Sequence, residues 1–279
     1  MCMITDSPEF ARRMTELPPL PAAVAEVLDA LRHGPPSLER CVELIERDPA
    51  LAARTLRLAN SAFYGRQGRI GSITSACLML GLRTVMGLLT AATLRQCLRP
   101  LDCPGFDPDA HWRRAMGRAL TASMLAPQLE QDPGEAFLAG LVTDLGMLML
   151  AWAAPTQMSE ALRLAAQDGD LVAHEIALLG HDHVEMGTAV ARRWHFPEAI
   201  VRTLQVTPRQ WARLDGRPAE LADLVSLSQE LLAPLEAGCA PEAALMDLPE
   251  ALWLELELAP DERLPFLQRV ADGLAALVD

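Results

Sequence analysis

The stretch EAFLAGLVTDLGMLMLAWA, residues 135–153, decides the fold. Its apolar residues Phe137, Leu141, Leu145, Leu148, Met149 and Trp152 recur at the spacing of one helical face and predict a helix from Glu135 to about Ala153. Asp144 falls on that face, between Leu141 and Leu148. A carboxylate placed there loses solvent, which is costly unless a cation, a metal or a hydrogen-bond donor meets it. A helix-internal Asp bonded to a neighbouring backbone group meets the same need with no functional role.

Outward from this helix the punctuation stays helical. Asp132, Pro133 and Glu135 supply a cap, a first-turn proline and a first-turn acid. Asp48-Pro49 opens the helix PALAARTLRLAN, and Asp182 with Glu185 and Thr207-Pro208 with Gln210 have the form of capping boxes. Pro197, Pro241 and Pro260 are further first-turn candidates. No run of alternating β-branched residues argues for a strand. The run EALWLELELAPDE, residues 250–262, alternates briefly, but its flanks and its Leu, Glu and Ala favour helix. The fold class expected is all-α, with three stretches after a short tail at residues 1–15. Residues 16–106 hold short helices and end in the Pro- and Gly-containing loop LRPLDCPGFDP; residues 107–215 hold longer helices and most of the His; residues 216–279 form an acidic helical extension.

Composition narrows function. The chain has 279 residues and a net charge of −13. Every cation among the 24 basic residues is Arg, and no Lys occurs, which excludes Schiff-base and P-loop lysine chemistry. Residues 218–279 carry 2 Arg against 13 acids, so a broad positive surface for nucleic acid is not expected. The six cysteines form no C-x-x-C pair and read as reduced, buried thiols of a cytoplasmic protein. The N-terminus lacks the pattern of a signal peptide, and apolar runs such as Leu145 to Ala154 are too short to span a bilayer.

Three further features are candidates for chemistry. His183 shares a helical face with Gly187, Val190 and Trp194 and points to the core, as a metal ligand or as a hydrogen-bonded core histidine. His181, outside the helix that Asp182 caps, is expected in water. Tyr64, Arg66 and Arg69 lie with two glycines in the loop NSAFYGRQGRI; they suit a phosphate or nucleotide contact, or a turn at a helix end with inward packing. Arg192-Arg193 read as solvated charge.

The segments Leu17-Pro18-Pro19-Leu20-Pro21, ERDPALAARTLRLANSAFYG (46–65), LGLRTV (80–85), Trp112, AFLAGLVTDLGMLML (136–150) and LLGHDHVEMGTAVARRWHFPEAIV (178–201) make the chain resemble the HDOD family. That family is a branch of the HD metal-dependent phosphohydrolase superfamily found in bacterial signalling proteins. The resemblance covers roughly residues 16–205. It implies an N-terminal helical subdomain packed on a degenerate HD-like bundle. It also implies where the hydrolase ligands have gone: Arg114 stands at the first His, Thr143-Asp144 at the His-Asp pair, and Gln205-Val206-Thr207 at the paired downstream His. Asp144 and His183 remain, too few to hold a catalytic metal. No catalytic residue, metal or other cofactor is therefore expected. Arg114 is either the cation that replaces the metal beside Asp144 or a solvated side chain.

The function expected is a non-enzymatic regulator in bacterial signal transduction, acting in trans through protein–protein contacts. Its partners would be signalling proteins, including members of cyclic di-GMP or two-component pathways, with no membrane and no nucleic acid involved; homo-oligomerisation stays open. Two alternatives stand beside it: a nucleotide-binding sensor without turnover, and a metal-dependent phosphohydrolase with altered ligands.

Overall fold

A computed structural model describes residues 37–61, 70–98, 101–205 and 217–275, with Ala25, Asp29 and Leu214. Tyr64, Arg66 and Arg69 lie outside the described residues, as do Val206, Thr207 and the capping box that begins there. The described chain is helical, with no strand.

Its first part holds α1 (Leu38–Glu46), α2 (Pro49–Asn60), α3 (Ile73–Leu80) and α4 (Leu82–Cys97). Asp48 caps α2 by accepting hydrogen bonds from the Ala50 and Leu51 amides, so this helix begins where Asp48-Pro49 predicts. After the loop that contains Gly105, α5 (Pro108–Leu125) leads through a short 3-10 turn to α6 (Pro133–Val142) and α7 (Leu145–Ala153). Then follow α8 (Pro155–Asp168), α9 (Leu171–Leu179), α10 (His183–Arg193) and α11 (Glu198–Thr203). The C-terminal part holds α12 (Leu221–Glu236), α13 (Pro241–Asp247), α14 (Glu250–Glu255) and α15 (Pro260–Ala275). The 250–262 run is thus helical at both ends, with a break around Glu257, whose φ is 52°.

The single helix expected over 135–153 is two helices. It breaks at Thr143-Asp144: the Thr143 hydroxyl donates to the Ala139 carbonyl at 2.8 Å, and Asp144 sits at φ −98°, ψ 24°. Back-bonding by Thr is a known source of helix bending. No Gly or Pro marks the break.

Helix α5 is the central element. It packs on α6 along one side, and α12 and α15 cover another. Trp112, Ala115, Gly117, Ala119, Leu120, Thr121 and Leu125 are all buried, and they lie around the whole circumference of the helix. Gly140 brings α6 onto the α5 backbone: a methyl group there would stand 2.8 Å from the Arg118 carbonyl oxygen. Gly146 does the same for α7 and α10, since a Cβ at that position would collide with the His183 carbonyl. These two backbone contacts bring together the elements that carry Arg118, Asp144 and His183.

One apolar cluster runs from α1 to α15. Leu252 and Leu256 are buried in it, so the acidic C-terminal helices pack back on the body. The stretch Pro133–Ala153 is long and apolar enough to cross a membrane, contrary to the expectation from run length, but 83% of its apolar window is buried inside the protein. Cys41, Cys77 and Cys103 are buried and Cys239 half-buried, all as thiols.

Candidate functional site

An Arg–Asp ion pair and a His–Glu hydrogen bond occupy the place where sequence reasoning put a lost metal centre. The first joins α5 to the break between α6 and α7. Arg118 Nη2 lies 2.5 Å from Asp144 Oδ2, with side-chain exposures of 9% and 20%. Asp144 stands at the start of α7 but does not cap it, which leaves its carboxylate for the guanidinium. The contact is charge on charge more than an aligned hydrogen bond, since Arg118 Nε and Nη2 find no acceptor in line. Burial pushes the Asp144 carboxyl up, but Arg118, His111 and His183 together hold it below its ordinary value.

The second pair joins α9 to α10. His183 Nδ1 lies 2.6 Å from Glu175 Oε2, and the same oxygen accepts the His183 backbone N–H at 3.0 Å. The Glu175 side chain is fully buried. Burial disfavours charge on His183, yet the Glu175 hydrogen bond and carboxylate, with Asp144 and Asp182 behind them, raise its pKa above the ordinary value.

His111 completes the group on α5. It is 2% exposed, packs tilted against Phe106 and edge-on to Trp112, and has no partner for Nδ1. Burial drives its pKa down to about 4, helped by Arg118 and Arg114 and opposed by Asp144. It is therefore a neutral imidazole at pH 7.

The predicted residues fall into place unevenly. Asp144 does meet a cation, but the pairing considered for Arg114 belongs to Arg118, one turn further along the same face of α5. Arg114 is half-buried and influences His111 and Glu236 from the rim. Thr143 is tied to its own helix. His183 points inward as expected, but Glu175 holds it. His181 is 6% exposed, so the expectation of a solvated ring is corrected: it is buried within the α9–α10 connection. Arg192 and Arg193 are exposed, and Arg192 pairs with Glu198 at 3.4 Å. Sequence reasoning missed Arg118, Glu175 and His111. Glu175 left one trace, as the only acid inside the apolar run LVAHEIALL.

An HD-type metal does not fit these residues. A guanidinium stands against Asp144, and Thr143 offers a hydroxyl already spent on Ala139. His183, whose Nδ1 is held by Glu175, could offer only Nε2, one ligand where a catalytic ion needs at least three. Among the described residues, no group of three His, Cys, Asp or Glu side chains is placed to hold a metal ion.

Residues 17–208 match the HDOD domain family. An uncharacterised protein of Treponema pallidum (strain Nichols) is 27% identical over 221 residues, covering 78% of this chain and 42% of that protein; the chain thus spans less than half the length of this curated relative. Among solved structures, a protein of Shewanella amazonensis SB2B provisionally named a phosphohydrolase superposes with a TM-score of 0.71 at 25% identity, covering 98% of this chain and 99% of the other. A Marinobacter aquaeolei VT8 protein provisionally named for signal transduction gives 0.66 at 25% identity, covering 97% of this chain and 64% of the other. With the family matched over most of its length, and a helical break carrying Thr143-Asp144 at its centre, the chain belongs to the HDOD domain family.

Proposed function

We propose that this chain is a non-catalytic regulator of bacterial signal transduction, acting in the cytoplasm by contact with another signalling protein. The Arg118–Asp144 ion pair carries this reading. A fixed guanidinium in the ancestral metal pocket supplies positive charge without a Lewis-acid site, without an open position for water and without a titratable proton. The pocket is thereby balanced electrically and keeps its shape. What remains available to other molecules is the outer surface of the helical body.

The test is metal content and turnover together. Full-length protein is purified without chelator, analysed for iron, manganese and zinc, and assayed with phosphomonoesters and cyclic dinucleotides. The expected result is metal far below one equivalent and no hydrolysis above buffer. Stoichiometric metal with hydrolysis that Asp144→Ala abolishes would sink the proposal and favour a phosphohydrolase with altered ligands.

A further inference from the structure

We propose that the cleft between α2, α4 and α5 binds a small amphipathic anion: a phosphate or carboxylate head on an apolar or aromatic body. The cleft has a volume of about 230 Å³ and adjoins a second cavity of about 270 Å³; both are lined by Arg95, Asp109 and Trp112. It does not rest on the Arg118–Asp144 pocket. Trp112, Arg113 and Met116 face it from α5, whereas His111, Arg114 and Arg118 lie on the opposite side of that helix.

The walls are of two kinds. The floor is aliphatic and aromatic, made by Leu51, Leu58, Leu88, Trp112 and Met116. The rim carries three arginines, Arg54, Arg95 and Arg113, against one lining carboxylate, Asp109. Arg95 is ion-paired with Asp109. Arg113 reaches Asp107 only at 3.9 Å. Arg54 makes no ion pair or hydrogen bond among the described residues; desolvation and the neighbouring Arg95 pull its pKa below the ordinary value, while Asp48 and Asp109 oppose. Three guanidiniums thus line the cleft against one lining carboxylate, with Asp48 and Asp107 flanking it. Of the three only Arg54 is without an ion pair among the described residues, in a protein of net charge −13. Guanidinium groups above an apolar floor match a ligand with a planar anionic head and a body that leaves water. Such a ligand would touch the N-terminal helices and α5 at once.

The experiment is calorimetric titration of the full chain with 1-naphthyl phosphate, 1-naphthoate, inorganic phosphate and 1-naphthol. One or both of the naphthyl anions should bind saturably at one site, at least about tenfold more tightly than inorganic phosphate or naphthol alone. Which head binds better separates a phosphate ligand from a carboxylate ligand. Arg54→Gln should weaken binding about tenfold, the loss of one charge-assisted contact, with the thermal midpoint unchanged. Asp109→Asn should tighten binding, because it frees Arg95 and removes the competing carboxylate. Lack of saturation by either naphthyl anion up to about 5 mM would overturn the proposal. So would affinity equal to that of phosphate or naphthol alone, or affinity indifferent to both substitutions.

Discussion

The two faces of α5 solve opposite problems with the same residue type. On one face Arg118 is buried against Asp144, and the charges cancel. On the other, Arg54, Arg95 and Arg113 ring an apolar cleft with more cation than anion. A buried arginine with its carboxylate is part of the architecture; a half-solvated arginine without one is available. The difference teaches that burial and the presence of a partner carboxylate, and not residue identity, separate structural charge from usable charge.

The largest effect expected is at the balanced face. Asp144→Asn leaves the Arg118 guanidinium without its counter-ion and should destabilise the fold by about 3–5 kcal/mol, read from urea midpoints. Changing both partners to apolar residues, Arg118→Met with Asp144→Leu, should cost less than the single change. A double variant as unstable as the sum would break the view that the pair cancels internally. Next comes the frame of the pocket. Gly146→Ala drives a methyl group into the His183 carbonyl, where no side-chain rotation gives relief; a loss of about 1–3 kcal/mol or more is expected.

A third effect concerns pH. The folded pKa of His111, about 4, lies below the unfolded value near 6.5, so the unfolded chain binds the extra proton. Stability should therefore fall as pH drops from about 6.5 towards 4, by up to about 3 kcal/mol from this group. His183 works the other way. Its folded pKa is raised, so its contribution is full below about 6.5 and is lost as pH rises through the folded value. Urea midpoints from pH 4 to 8 should pass through a maximum; His111→Leu flattens the acid limb and Glu175→Gln the other. A flat profile in the wild type would remove the charge assignment of this pocket. The smallest effect is at the open face, where Arg54→Gln should leave stability within about 0.5 kcal/mol. A larger loss would mean that the cleft arginine is structural after all.

Much of this was legible in residues 135–153. An acid on an apolar stripe announces a buried carboxylate in need of a partner, and Asp144 has one. The identity of the partner was not legible. Arg114 and Arg118 share one face of α5, a turn apart, and the choice between them is made by Gly140, which sets the height at which α6 meets α5. A stripe calculation on α5 also assumes one buried face, whereas this helix is enclosed on several sides. The break at Thr143-Asp144 left no proline or glycine to read. The cleft was invisible for another reason: its walls come from three helices that only tertiary packing brings together, and no local pattern joins Leu51 to Met116.

Gly140 has a consequence beyond placement. Where α6 touches α5, main chain rests on main chain at Arg118 and Ala119, with no cushion of deformable side chains between them. A displacement of α5 at Arg118 would therefore press on the α6 main chain at Gly140, three residues before the Thr143-Asp144 joint. If the proposed anion binds, its cleft and the ion-paired face would be joined through one helix, α5, and one backbone contact.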